Sequence, residues 1–160
     1  PSAMRHFVGL REISSMRLTL HTDYALRLLM HLAVTPERLV TITEVAEAFA
    51  ISRNHLVKVA HELGKAGFLE TLRGRGGGLR LARPPEKIVI GDVVRAMEED
   101  FRIVECFDRE ANTCCIAPAC RLKRLLRDAL DAWAAVLDDA TLADLAAKPA
   151  PLRRLLALTA

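Results

Sequence analysis

All four cysteines of this 160-residue chain stand in one stretch, residues 105–123, ECFDREANTCCIAPACRLK, as Cys106, Cys114, Cys115 and Cys120. Thiols so crowded serve as disulfides, metal ligands or redox groups. A chain of this length, 51% hydrophobic and 27% charged, can bury a core without disulfide staples. No apolar run approaches the ~20 residues that span a bilayer, and residues 1–15, PSAMRHFVGLREISS, lack the continuous apolar stretch of a secretory signal. These features point to the cytoplasm, with no membrane partner, where thiols stay reduced. Structural zinc usually recruits Cys-x-x-Cys pairs, whereas here seven residues separate Cys106 from Cys114 and five separate Cys114 from Cys120. An iron–sulfur cluster is larger than one ion, and thiolates spread over a long irregular loop can wrap it. Cluster, zinc site and simple buried or redox thiols all remain open, with the loop favouring the first.

A second chemistry lies upstream. Residues 52–83 hold seven Lys and Arg (Arg53, Lys58, Lys65, Arg73, Arg75, Arg80, Arg83) against Glu62 and Glu70, on a chain whose formal charge is only +3. A basic excess on an otherwise acidic remainder is the footprint of a phosphate-binding surface. Aromatic content of 4% argues against a stacking platform for single strands, and what the basic segment folds into must decide its partner.

The elements that must position these groups read as follows. HTDYALRLLMHLAV is a first helix, with Thr22 as N-cap and Leu28, Leu29 and Leu32 turned inward, ended by Pro36. TITEVAEAFA opens with Thr41 and Glu44 at capping-box spacing and buries Val45, Ala46 and Phe49. After a brief connection, Ser52 caps a third helix that runs to about Ala66 and stops at Gly67, which makes a helix-turn-helix. Leu56, Val59, Ala60 and Leu63 form its apolar side. Ser52, Arg53, Asn54, His55, Lys58 and His61 are then the candidate DNA contacts on the outer side. FLETLR and LRLAR alternate as half-buried strands joined by GRGGG, a two-stranded wing. Its tip, with Arg73, Arg75, Gly76 and Gly77, suits a narrow minor groove. A phosphate loop of the Gly-Lys-Ser/Thr type is excluded because these glycines lead into a strand rather than a helix.

The fold class is mainly α with a small β wing: a winged helix-turn-helix domain plus a long dimerisation helix. Residues 1–15 read as a leader or an expression remnant, 16–100 as the DNA-binding domain, 101–121 as a cysteine-rich cluster-binding loop, 120–147 as the dimerisation region and 148–160 as a Pro-broken tail without a role. In RLKRLLRDALDAWAAVL, Leu122, Leu126, Ala129, Trp133 and Val136 recur at heptad spacing and form the expected homodimer seam. Leu125, Leu130 and Leu137 add a second apolar row, so the helix needs one partner inside its own chain and one outside.

MRLTLHTDYALRLLMHLA, ISRNHLVKVAHELGKAGFLETLRGRGGGLRLAR, IGDVVRAMEED and the segment from VECFD to ACRLKRLL resemble the bacterial winged-helix iron–sulfur regulators, the family that includes IscR and NsrR, over Met16 to about Leu145. Within it they are most similar to the NsrR branch of nitric-oxide-sensing repressors. The resemblance implies a homodimeric repressor bound to a double-stranded operator, not an enzyme, with nitric oxide as signal and an iron–sulfur cluster held by Cys106, Cys114 and Cys120. It also implies that Asp23 of the other subunit completes a 4Fe-4S cluster, with Arg27 one turn on as the residue that pairs with Asp23 and holds or releases it. Asp in the first turn of a helix is also favoured by the helix dipole alone, worth ~0.3–1 kcal/mol. Cys115 departs from the family pattern, in which proline often follows the middle ligand. The alternative within the family is an IscR-like 2Fe-2S regulator of cluster supply; outside it stand an iron–sulfur redox enzyme and a zinc-stabilised DNA-binding module.

Overall fold

A computed structural model describes residues 17–108 and 110–157; the residues read as a leader lie outside them. The chain runs α1 (Leu20–Ala33), α2 (Ile42–Phe49), α3 (Arg53–Lys65), β1 (Leu69–Leu72), β2 (Gly78–Leu81), α4 (Ile90–Met97), α5 (Arg121–Asp138), α6 (Leu142–Leu145) and α7 (Pro149–Leu155), with three short 3-10 turns. It is mainly helical with one two-stranded antiparallel sheet, the expected class.

Helix α1 starts earlier than its sequence suggests. Thr19, in extended backbone, is the N-cap, and its hydroxyl accepts the Thr22 N–H at 3.2 Å. Thr22 is fully buried inside the first turn instead of capping it. Thr19 offers the same hydroxyl three residues sooner, and Glu98 fixes it there by accepting its N–H at 2.8 Å. Leu28, Leu29 and Leu32 are buried as their spacing requires, and α1 packs against α3, α4, α6 and β2. In α2 only half of the capping box forms. The Thr41 hydroxyl accepts the Glu44 N–H at 3.2 Å, but the Glu44 carboxylate pairs with Arg38 rather than returning to the cap. Ser52 takes the N-cap position of α3 without a side-chain cap bond. Leu56, Val59, Ala60 and Leu63 all enter the core, and Gly67 ends the helix at φ +75°.

The strands pair Leu69 with Leu81 and Leu72 with Gly78, and Arg80 donates to Glu70 across them at 2.9 Å. At the base of the wing Val40 bridges to Leu79 with bonds of 3.1 and 2.8 Å, which anchors β2 to the connection between α1 and α2. Past α5 the chain folds back. Ile90 N–H donates to the Ala140 carbonyl and Leu142 N–H to that of Ile88, so that Leu142 is fully buried in the winged-helix core. The expected free tail is instead partly helical. In α7, Arg153 Nε donates to the Val34 carbonyl at 2.6 Å and its Nη2 meets both oxygens of Glu37 at 2.8 Å, which caps the C-terminus of α1 with a cation.

Among the described residues three polar ones are buried, Thr22, Thr35 and His31, and of these His31 is titratable. It is fully inaccessible, neither ring nitrogen has a hydrogen-bond partner, Phe49 lies edge-on at 6.0 Å and the nearest Glu44 oxygen is 3.9 Å away. Burial holds its pKa below the ordinary imidazole range, and Glu44 offsets this only in part. The folded state therefore favours neutral His31, so its contribution to stability is complete above the unfolded pKa of about 6.5 and is lost as pH falls below that value. Urea midpoints between pH 7.5 and 5.5 should fall for the parent and stay nearly flat for His31→Leu.

Candidate DNA interface and cysteine loop

The outer side of α3 is open: Ser52, Arg53, Asn54, His55, Lys58 and His61 are all exposed, with Val57 45% exposed among them. At the wing, Arg73 and Arg75 are exposed on a tip closed by Gly77 N–H to the Gly74 carbonyl at 3.0 Å. Gly74 and Gly76 adopt φ of +100° and +81°, and a Cβ on Gly77 would lie 2.2 Å from the Leu72 carbonyl oxygen, so side chains are excluded from this turn. Ion pairing divides the basic segment. Lys65 is bound to Glu62 and Arg80 to Glu70, while Arg83 lies 4.7 Å above the Phe68 ring. Among the described residues Arg53, Lys58, Arg73 and Arg75 make no ion pair. The charge free for phosphates is thus concentrated on α3 and the wing tip.

The cysteines stand on the loop that leads into α5. Cys106, Cys114 and Cys120 are half-buried, Cys115 is exposed, and none forms a disulfide. Cys120 is the N-cap residue of α5. Polar side chains shape the loop: Glu105 accepts from Thr113, Asp108 accepts the N–H groups of Glu110 and Ala111 at 2.9 and 3.1 Å and pairs with Arg102, and Asn112 accepts the Cys114 N–H at 3.1 Å. Thr113 holds the Glu105 carboxyl below the usual carboxylate range, and the backbone donors do the same for Asp108. Arg127 of α5 sits 4.0 Å over the Phe107 ring and pins the loop to the helix.

Three half-buried, unbonded thiols on one ordered loop are a donor set that suits an iron–sulfur cluster. They are not closed around a metal, because among the described residues no three His, Cys, Asp or Glu side chains converge into a metal site. Asp23 is not brought to them within this chain. It lies in the first turn of α1, where Arg27 grips it with Nε at 3.0 Å and Nη2 at 2.6 Å.

Helix α5 divides its apolar residues differently from the expected seam. Leu130 is buried, and Trp133 turns inward onto Phe101, ring to ring at 6.0 Å, while Leu126 faces a cavity of about 630 Å³ that Trp133, Phe101 and Leu18 also line. The outward stripe is Leu122 (59% exposed), Leu125 (63%), Ala129, Ala132 and Val136 (69%). It also follows heptad spacing. Periodicity alone does not separate two adjacent stripes; within the chain Trp133, partly buried, meets Phe101. The sequence did not announce the contacts of Arg153 or the bond between Glu105 and Thr113; the last had a visible signal, since each of those two residues immediately precedes a cysteine.

Residues 18–148 match the model of the Rrf2 family, described as an iron-dependent transcriptional regulator. The chain belongs to the Rrf2 family. It is 52% identical over 142 residues to the HTH-type transcriptional regulator NsrR of Shouchella clausii, covering 88% of this chain and 95% of that one. The same identity over 142 residues relates it to NsrR of Bacillus subtilis, covering 88% and 97%. Among solved structures it resembles T. potens IscR with a TM-score of 0.66, 26% identity and 82% and 86% coverage. It likewise resembles CymR, the global cysteine regulator of B. subtilis, with a TM-score of 0.65, 27% identity and 82% and 97% coverage. As an Rrf2 protein this chain is a DNA-binding transcriptional regulator, and no helix among its described residues is long and apolar enough to cross a membrane.

On a duplex selected from random sequence by the parent protein, Arg75→Ala should lower the salt slope of binding by ~0.9 for each phosphate that is no longer neutralised. Lys58→Ala should do the same or relax preference at one base position by ~1–3 kcal/mol. Lys65→Ala and Arg80→Ala, whose charges are already neutralised by Glu62 and Glu70, should change binding little; equal losses in all four titrations would contradict this division of charge.

Proposed function

We propose that this Rrf2 regulator is a homodimeric repressor that senses nitric oxide through a 4Fe-4S cluster held by Cys106, Cys114 and Cys120 of one subunit and by Asp23 of the other. The observation that carries the reading is the loop itself: three half-buried free thiols leading into α5, in a chain 52% identical to NsrR regulators over 142 residues. Identity of 52% over 142 residues with two NsrR regulators supports it over an IscR-like 2Fe-2S regulator. Cys115, exposed beside Cys114, faces solvent and is left out of the ligand set.

When bound, the cluster supplies an iron with one exchangeable oxygen ligand, the corner at which a small molecule can compete. The protein's own residues do the rest. The stripe of Leu122, Leu125, Ala129, Ala132 and Val136 buries itself in a second copy and fixes the spacing between two α3 helices, which enter successive major grooves while the Arg75 wings enter the minor groove. Asp23 is held by the Arg27 guanidinium and would be the residue of the partner subunit offered to the cluster. It stands at the start of α1, the helix that packs on α3, so a change of its partner would act on the element that carries the DNA-reading surface.

Iron, sulfide and zinc analysis of anaerobically purified protein tests the assignment. The parent should hold about four iron and four sulfide per chain. Cys106→Ala, Cys114→Ala and Cys120→Ala should each lose them, and Cys115→Ala should not. Zinc without sulfide would overturn the reading, and about two iron per chain would select the IscR-like alternative.

A further inference from the structure

The loop solves a problem that the cysteine spacing poses. In Cys-x-x-Cys the chain itself keeps two thiols close, but Cys106 and Cys114 are separated by seven residues, and closing such a loop costs conformational entropy at the moment a metal is bound. Here the residue before each cysteine is bonded to the other. Glu105 precedes Cys106, Thr113 precedes Cys114, and Glu105 Oε1 accepts both the Thr113 N–H at 2.6 Å and the Thr113 hydroxyl at 2.7 Å. The excursion between the cysteines therefore starts and ends at one point. Its interior is tied independently: Asp108 gathers the Glu110 and Ala111 N–H groups, Arg102 joins Asp108 to Asp100, and Asn112 sets the Cys114 backbone. No thiol takes part in any of these bonds.

We infer that Glu105 and Thr113 form a clasp that preorganises Cys106 and Cys114 as a chelating pair before any metal arrives. The clasp replaces with two side-chain hydrogen bonds what short spacing achieves covalently. Glu105 and Thr113 are positioning residues: they touch no metal and act through the backbone of the cysteines beside them. The inference deepens the reading of Cys106 and Cys114 as cluster ligands and rests on it for its purpose, but the closeness it predicts exists in the metal-free protein and is measured there.

The test uses the full metal-free chain under anaerobic conditions with Cys115→Ser and Cys120→Ser, so that only Cys106 and Cys114 remain, and dibromobimane, which becomes fluorescent when it bridges two thiols. The fluorescent product in the monomer band of a denaturing gel reads the pair within one chain. Clasped protein should crosslink readily. Glu105→Ala should lower the yield several-fold, Thr113→Val should lower it less, and Thr113→Ser, which keeps both donors, should restore it, with thermal midpoints and circular dichroism unchanged throughout. In chains that retain all four cysteines, iron uptake during reconstitution should slow in the same order. Crosslinking that is equal in Glu105→Ala and the parent would overturn the clasp. Crosslinking that follows the clasp in a protein that takes up no iron would sustain the clasp and overturn the ligand reading instead.

Discussion

The burial of α1 is the constraint on which the rest of the molecule depends. Leu28, Leu29 and Leu32 are removed from water against α3, α4, α6 and β2, each burial contributing ~1.5–3 kcal/mol. The orientation of α3, and with it that of Arg53 and Lys58, is therefore set by a helix that never faces the groove. Both ends of that helix are held by charge. At its N-terminal end Asp23 and Arg27 grip one another, and at its C-terminal end Arg153 caps the Val34 carbonyl and pairs with Glu37. Between those ends α1 meets α3 through close-packed side chains, which as a rule shift between discrete arrangements rather than deform smoothly.

Electrostatics then refine what packing has positioned. The basic segment would present a diffuse positive face if all seven cations were free. Glu62 and Glu70 neutralise Lys65 and Arg80 and leave the α3 face and the wing tip as the places where phosphates gain most. Exposed pairs of this kind add little stability; their effect is to shape the field. The cysteine loop uses acidic groups in a parallel way. Glu105 and Asp108 order its backbone through N–H donors, so that the thiols remain free for a metal.

The fold was largely legible because local signals agreed with one another. The face of α3, the glycine tip, the stop at Gly67 and the two paired strands stand where periodicity and turn chemistry put them, although β1 does not alternate as expected: Leu69 alone is buried and Leu72 is exposed. The misses occurred where a residue had two equivalent choices and tertiary context made the selection. Thr19 and Thr22 each offer a capping hydroxyl, and Glu98 selects the first. The prolines near the C-terminus suggested a broken tail, but Pro149 stands in the first turn of α7, where its missing N–H costs nothing, and Arg153 finds its partners more than a hundred residues away. Of the candidate site the sequence supplied the type of donor, four cysteines in one loop, and the structure leaves them unpaired. Asp23 stands apart from that loop within one chain, bound to Arg27, and the proposed ligand set would divide the donors between two copies, which no spacing within one sequence records.

The central claim is that the partner of Asp23 sets DNA affinity. It is tested most directly by titrating one selected operator duplex with anaerobically purified, iron-loaded protein before and after nitric oxide, the parent beside Asp23→Asn. The account predicts that the parent loses roughly tenfold or more in affinity, about 1.4 kcal/mol per decade, and that Asp23→Asn stays folded and dimeric with an altered iron spectrum and a much smaller response. A parent that binds equally tightly before and after nitric oxide, or an Asp23→Asn protein that matches the parent in spectrum and release, would contradict it.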